Sequence, residues 1–320
     1  VYNFGTVAAQ TIGWVSSAKD RDNKLFENDR LSSYLEDEVC GREDGVEYVC
    51  EAALRGRRGE VVYDIDQQVI KKTPTQFGEN VTLTLDIELQ KKIEDYLADC
   101  TVVANCRANM AAVIIDVPTG DILTLVSKPG YDLNRIRYDY AAIARDANQP
   151  LLNRAINKQY PPGSAIKPII LIAGMESGKI TSGEVISCPA QPAPKGWSDC
   201  WIYKKYFTIG HDDQWRNIAR NAIKGSCNVY FSHLADRIEP IVLQQWLFNF
   251  GYGHKILIPP PSARQISPGR SFRQAQGQIS NAIPEAAIER FEQLPSLERR
   301  ENRYFGIGQG NLRVTPLQVA

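Results

Sequence analysis

The chain has no apolar run long enough to cross a bilayer. Its longest, around Pro168 to Met175, falls far short of the roughly 18 to 20 residues that a spanning helix needs. A membrane anchor within these residues is therefore excluded. Net charge is also absent: 37 basic residues balance 37 acidic ones, so no overall field favours nucleic acid or an anionic membrane. No internal repeat or low-complexity tract occurs. There is no initiator methionine before Val1, and no stop signal closes the apolar, periodic segment that ends at Ala320. The expectation is a fragment cut at both ends. What is present suits a globular protein: 320 residues, 43% of them hydrophobic, can bury a substantial core in two domains or one large one. Seven cysteines (Cys40, Cys50, Cys100, Cys106, Cys188, Cys200, Cys227) make an odd count, so simple pairing leaves at least one free thiol or metal ligand.

Residues 1 to 78 are rich in charge and glycine, with short apolar stretches such as Val61 to Ile65, the pattern of short strands joined by turns. This predicts a separate β-rich module, with a second domain over residues 79–320. There Val81 to Leu85 reads as a strand and Asp86 as the N-cap of a helix running toward Cys100. Met110 to Val117 and Ile122 to Val126, joined by Pro118-Thr119-Gly120-Asp121, predict a central β-hairpin. The pattern then turns helical from Ala165 to Met175 and again around Ile218, Ala222 and Ile223. Ile258 to Pro268 is proline-rich and reads as a surface loop. The fold class is α+β, with strands ahead of a mainly helical stretch.

The chemistry centres on Tyr160-Pro161-Pro162-Gly163-Ser164-Ala165-Ile166-Lys167-Pro168. Two prolines and a glycine force an irregular approach to an apolar helix, which places Ser164 at a helix N-terminus. Lys167 lies one turn on, on the same face. A desolvated amine there can take the serine proton, while helix dipole and backbone N–H groups favour the developing oxyanion. The bare S-x-x-K spacing recurs at Ser16 to Lys19, where charged, turn-like surroundings indicate a solvated loop. Ser226-Cys227-Asn228 supplies a hydroxyl and a carboxamide two residues apart, a spacing that sends both into one cleft while Cys227 points away. In S-x-x-K, S-x-N enzymes the hydroxyl relays protons and the carboxamide holds a substrate amide.

At these residues the chain resembles the class B penicillin-binding proteins. Tyr160 to Pro168 is similar to their Y-x-P-G-S-x-x-K-P signature, and Ser226 to Phe231 to their second motif with its following aromatics. Gly41 to Gly59 resembles the pedestal segment of class B members. Val81 to Gln90, Ala111 to Asn134 and Phe305 to Ala320 resemble transpeptidase-domain blocks. The resemblance covers nearly the whole chain. It implies a pedestal (dimerisation-type) module followed by a transpeptidase domain of the serine β-lactamase-like kind. It further implies attack by Ser164 on the D-Ala-D-Ala end of a peptidoglycan stem peptide, loss of D-alanine and transfer of the acyl group to a neighbouring strand's amine. β-Lactams would trap the acyl-enzyme, and Lys167, Ser226 and Asn228 would complete the catalytic set. The expected setting is the periplasmic side of the inner membrane, with an anchor N-terminal to these residues and a membrane glycosyltransferase of the elongation machinery as partner. The alternatives are a D,D-carboxypeptidase or β-lactamase-like hydrolase, or a non-catalytic penicillin-binding scaffold or sensor. One departure stands out: the family's third motif, K-T-G or K-S-G, is absent, and its strand is expected beyond Ala320.

No cofactor is expected for the chemistry. Cys188, Cys200, His211 and Cys227 form a candidate structural zinc set, since three thiolates and an imidazole suit a tetrahedral site. Some elongation-type class B proteins show a similar order of cysteine, Cys-Trp, Gly-His and a cysteine inside the second motif, which points to that subgroup. A Cys188–Cys200 disulfide and free buried thiols are the competing readings. Cys40 with Cys50, and Cys100 with Cys106, are either disulfides or unpaired thiols. His233 and His254 read as packing or surface histidines.

Overall fold

A computed structural model describes residues 1–19, 22–23, 26, 29–42, 45–106, 109–252 and 299–320. His254 and the Ile258 to Pro268 loop lie outside the described residues. The chain divides into two compact units, one holding Val1–Asn157 and the other beginning at Lys158 and taking in residues 299–319.

The first unit opens with α1 (Ala9–Ile12) and a two-stranded antiparallel sheet of β1 (Trp14–Ser17) and β2 (Val39–Arg42), in which Trp14 faces Arg42. Short helices α2 (Val46–Val49) and α3 (Glu51–Arg55) follow, then an exposed antiparallel hairpin of β3 (Glu60–Tyr63) and β4 (Val69–Thr73). Trp14, Ala9, Tyr131, Leu133 and Ile136 form this unit's small core. Helix α4 (Ile87–Ala98) starts where the sequence predicts, because the Asp86 carboxylate accepts from the backbone N–H groups of Glu88 and Leu89. The predicted strand over Val81 to Leu85 does not form a ladder. That segment is tied down singly instead: Thr84 Oγ1 donates to Ile122 O and Asp86 N to Leu123 O. Strands β5 (Met110–Ile115) and β6 (Ile122–Lys128) make the predicted hairpin, pairing Met110 with Lys128. The buried Gln90 of α4 locks onto it by bonding both the N–H and the C=O of Leu125. Helices α5 (Ile136–Arg145) and α6 (Arg154–Asn157) complete the unit.

The second unit is helical among the described residues. A 3₁₀ turn (Gly163–Ile166) runs into α7 (Lys167–Glu176), followed by α8 (Trp201–Tyr206), α9 (Ala219–Lys224), α10 (Asn228–Arg237), α11 (Pro240–Asn249), α12 (Arg299–Phe305) and α13 (Pro316–Val319). Its core is continuous, built from Ile166, Ile170, Ala173, Tyr230, Phe231, Leu234, Leu243, Leu247 and Leu312 among others. Burying each such side chain contributes about 1.5–3 kcal/mol, so α7 and α10 are the best-anchored elements of the unit. Gly174 lets them approach closely: a β-carbon there would sit 2.6 Å from Leu234 Cδ1. The start of α7 and the start of α10 are thereby brought together. Among the described residues no helix is long and apolar enough to cross a membrane.

Candidate active site

The approach to α7 is clamped from outside. Tyr160 and Val314 exchange backbone hydrogen bonds at 2.8 and 2.9 Å, and Gly163 N donates to Gly308 O at 3.0 Å. Residue 308 has no room for a side chain, since a β-carbon would lie 2.1 Å from the Gly163 carbonyl oxygen. The Phe305 to Ala320 block therefore works mechanically, holding the residues that precede Ser164. Pro168 in the first turn of α7 lacks only an N–H that would have no helical partner. Ser164 thus sits within the 3₁₀ turn, and Lys167, whose backbone N–H donates to Ser164 O, opens α7 directly after it.

Ser226 comes to the same place by a different route. Helix α9 ends in a Schellman pattern: Ser226 N donates to Ile223 O (3.0 Å) and Cys227 N to Ala222 O (2.9 Å). That pattern puts Ser226 in the left-handed region, φ +48°, where glycine is usual and a side chain costs about 1 kcal/mol or more. Cys227 then caps α10, its Sγ accepting from Tyr230 N at 3.4 Å. The strand-like alternation expected for Ser226-Cys227-Asn228 is therefore a helix-to-helix junction. Its consequence is the one anticipated: Cys227 is fully buried while its neighbours turn to Ser164 and Lys167.

Lys167 is 2% exposed, and its ammonium donates to Ser226 O (2.7 Å), Ser226 Oγ (3.0 Å) and Asn228 Oδ1 (2.8 Å). Three donors meet three acceptors, so the head group is satisfied inside the protein. Burial pushes its pKa down to about 8, against an opposing pull from Cys227. Ser226 Oγ donates in turn to Ser164 Oγ at 2.9 Å. The amine thus reaches Ser164 through Ser226, where the sequence suggested direct contact; no Lys167–Ser164 hydrogen bond occurs among the described residues. Asn228 also differs from expectation, because its oxygen is engaged by Lys167 and its Nδ2 makes only a long 3.4 Å bond to Asp199 O.

Cys188, Cys200, His211 and Cys227 converge behind this group, all at most 1% exposed. Cys188 Sγ, Cys227 Sγ and a ring nitrogen of His211 lie within 4.8 Å of one another. Cys188 Sγ and Cys200 Sγ stand 3.4 and 3.3 Å from His211 Nδ1. His211 Nε2 is 2.9 Å from Gly225 O, which orients the ring with Nδ1 toward the thiols. Hydrogen bonding with Cys188, and then the nearby His211, draw the Cys200 and Cys227 thiols down against burial, while the hydrogen bonds with Cys200 and Cys227 push the Cys188 thiol up. Burial opposes the imidazolium, yet the thiolates outweigh it and His211 rises to about 10. Three thiols and an imidazole are donors of the kind that could hold a soft divalent cation. No Cys188–Cys200 disulfide is formed, and Cys40 and Cys50 are likewise unpaired, whereas Cys100 and Cys106 are bonded. His233 packs, stacked on Trp197 with ring centroids 3.9 Å apart. Ser16 and Lys19, the second S-x-x-K, lie in the other unit: Ser16 Oγ accepts from Arg42 Nε, and Lys19 makes its recorded bond through its backbone.

Comparison with known proteins agrees with this arrangement. Residues 110–320 match the penicillin-binding protein transpeptidase domain and residues 1–83 the penicillin-binding protein dimerisation domain. The peptidoglycan D,D-transpeptidase MrdA of Escherichia coli (strain K12) is 29% identical over 348 residues, covering 100% of this chain and 48% of the relative. MrdA of Acinetobacter baumannii is 30% identical over 330 residues, with 100% and 44% covered. The chain spans about half the length of these curated relatives. PBP2 of Pseudomonas aeruginosa, solved in complex with WCK 5153, matches with a TM-score of 0.73 and 25% identity, over 100% of this chain and 62% of that one. PBP2 of Helicobacter pylori in complex with MreC shares the fold, with a TM-score of 0.75 and 23% identity over 100% of this chain and 55% of that one. With the transpeptidase match covering most of its length behind a dimerisation module, the chain belongs to the penicillin-binding protein transpeptidase family.

Proposed function

We propose that these residues form the catalytic part of an elongation-type peptidoglycan D,D-transpeptidase, with Ser164 as nucleophile, Lys167 as base, Ser226 as proton relay and Asn228 as a brace for both amine and substrate. The observation that carries this reading is the unbroken line from Lys167 Nζ through Ser226 Oγ to Ser164 Oγ, with steps of 3.0 and 2.9 Å. With a pKa near 8, about a tenth of the amine is neutral at pH 7. Both hydroxyls rotate, so the line reverses when the amine is neutral. Ser164 Oγ–H then gives its proton to Ser226 Oγ as the Ser226 proton passes to Lys167 Nζ. Ser164 Oγ bonds to the penultimate D-alanine carbonyl carbon, the C–N bond breaks, and the departing D-alanine amine takes the proton back along the same line. An acceptor amine on a second stem peptide closes the cycle by attacking the ester, returning a proton to Ser164. A relay of this kind contributes about 10²–10⁴-fold. The long Asn228 Nδ2 bond to Asp199 O is the weak one, which a substrate carbonyl can replace. Opening of a β-lactam by Ser164 follows the same first step but leaves no departing group.

The Cys188, Cys200, His211 and Cys227 cluster fits one structural zinc ion. Cys188 Sγ and Cys200 Sγ stand 3.4 and 3.3 Å from His211 Nδ1, while Cys188, His211 and Cys227 lie mutually within 4.8 Å and Cys200 outside that group, so Cys200 would have to move in to complete a tetrahedral set. The ion would supply cross-linking of a segment with little helical or strand tendency, fixing it against the second motif. In this reading the pedestal takes residues 1–78 and the transpeptidase domain residues 79–320, a division that differs from the compact units, which part between Asn157 and Lys158. The site faces the periplasm in this reading. A membrane glycosyltransferase of the elongation machinery is the proposed partner, and an MreC-like protein joins it by analogy with the Helicobacter pylori complex.

The test is covalent labelling of the intact protein with a fluorescent penicillin, followed by peptide mapping. Ser164→Ala is expected to abolish labelling without unfolding the protein, and Lys19→Ala to leave it unchanged. A label mapped to Ser16 or elsewhere defeats the assignment. Release of the acyl group to water in preference to an acceptor amine identifies the hydrolase alternative instead.

A further inference from the structure

The hydroxyl of Ser226 can bridge Lys167 and Ser164 only while its backbone stays left-handed, and the peptide group on its N-terminal side is pinned from outside the reacting residues. The Gly225 carbonyl accepts two hydrogen bonds, from Trp201 Nε1 at 2.8 Å and His211 Nε2 at 2.9 Å. A carbonyl oxygen has two lone pairs, so both are used and the peptide plane cannot turn without losing them. Rotation of that plane is the motion that would carry Ser226 from φ +48° toward the ordinary region, swinging Oγ away from the amine. Gly225 itself makes the clamp possible, because a β-carbon there would meet His211 and Trp215 at 2.7–2.8 Å. Trp201 opens α8, and although the residue is 43% exposed its N–H reaches inward to this carbonyl. Unlike His211, it offers no ligand atom; it follows Cys200 in the chain and packs edge-on to the His211 ring at 6.2 Å, so zinc content is measured alongside the rate.

We propose that Trp201 is a positioning residue for acylation: by holding the Gly225 carbonyl it keeps the strained Ser226 hydroxyl between Lys167 and Ser164. The proposal rests on the reading of Ser164 as nucleophile, yet concerns a side chain that touches neither substrate nor the reacting atoms. Strain at such a position persists only where the surroundings over-determine it, and here the indole supplies one of the two donors on the Gly225 carbonyl that act beside the Schellman bonds from Ser226 N and Cys227 N.

The experiment compares the intact wild-type protein with Trp201→Phe and with a version carrying benzothienylalanine at 201, in which sulfur replaces only the indole N–H. Stopped-flow reaction with a fluorescent penicillin separates the non-covalent Kd from the first-order acylation rate constant. Both variants are expected to lose about ten- to a hundredfold in that rate constant, the range a displacement near 1 Å produces. Kd, Tm and zinc content should stay at wild-type values. The carbonyl ¹³C shift of Gly225 and the amide–Hα coupling of Ser226 should change, reporting a freed peptide plane. A wild-type acylation rate in either variant overturns the proposal, as does a parallel loss of rate, Kd and Tm, which is the mark of a packing defect. If the wild-type protein itself fails to label at Ser164, the function proposed above falls. The Gly225 shift and Ser226 coupling then decide Trp201 independently, and unchanged values overturn its role.

Discussion

Replacing Ser226 by glycine and by alanine separates the relay from the backbone strain that hosts it. Either change removes the Oγ that accepts from Lys167 at 3.0 Å and donates to Ser164 at 2.9 Å. The amine keeps Ser226 O and Asn228 Oδ1, but one of its donors loses its partner in a site 2% exposed, at a cost of about 1–3 kcal/mol in both variants. The two differ at the backbone. At φ +48° alanine retains the β-carbon penalty of the left-handed region, about 1–2 kcal/mol, while glycine escapes it. Glycine gives back part of that gain through the larger entropy of its unfolded chain. The net expectation is that Ser226→Gly is about 1 kcal/mol more stable than Ser226→Ala, or about 2–4 °C in Tm for a folding unit of this size. Acylation by a labelled penicillin should fall about 10²–10⁴-fold in both. Thermal unfolding followed by circular dichroism, with the labelling rate measured on the same samples, makes the comparison. Alanine matching or exceeding glycine in Tm would refute the claim of strain, and a wild-type labelling rate in either variant would remove Ser226 from the proton path.

The acylation rate should climb about tenfold per pH unit below pH 8 and level off above it, because the neutral amine of Lys167 is the base and its pKa is lowered to about 8; a flat profile from about pH 6 to about pH 9 contradicts that role. Protein purified without chelator should hold about one equivalent of zinc, and Cys200→Ser or His211→Ala should lower both zinc content and Tm; less than about half an equivalent sinks the metal reading. Gly308→Ala forces a β-carbon to 2.1 Å from the Gly163 carbonyl oxygen, so it should destabilise the protein by about 1–3 kcal/mol and slow labelling. Unchanged unfolding and labelling would show that the clamp on the nucleophile's approach is not needed.

Some of this architecture was legible in the sequence because the forces involved are local. Asp86 caps α4 through the amides two and three residues on, and Pro118-Thr119-Gly120-Asp121 turns between β5 and β6 where two apolar runs can pair. The Cys100–Cys106 bond closes over a separation of six residues, whereas Cys40 and Cys50 gave no local sign that both would be buried and unpaired. Val81 to Leu85 has strand composition but no ladder, since composition does not say whether a neighbouring strand offers an edge. Ser226 misled in another way. A serine in left-handed geometry runs against its own preference, and it is held there by the Schellman end of α9 joined to the cap of α10, together with the two donors on the Gly225 carbonyl.

From the sequence alone followed the α+β class, the order of the motifs and Ser164, Lys167, Ser226 and Asn228 as candidates, each motif legible from residue types at short spacing and the two motifs joined by the family resemblance. Tertiary structure alone decided that the amine reaches Ser164 through Ser226, that its pKa falls to about 8 and that Cys188, His211 and Cys227 meet behind the second motif with Cys200 beside His211. The reason is that desolvation and hydrogen-bond geometry at Lys167 are set by residues 59 and 61 positions away in the chain, brought alongside by the packing of α7 on α10, and no local pattern encodes that approach.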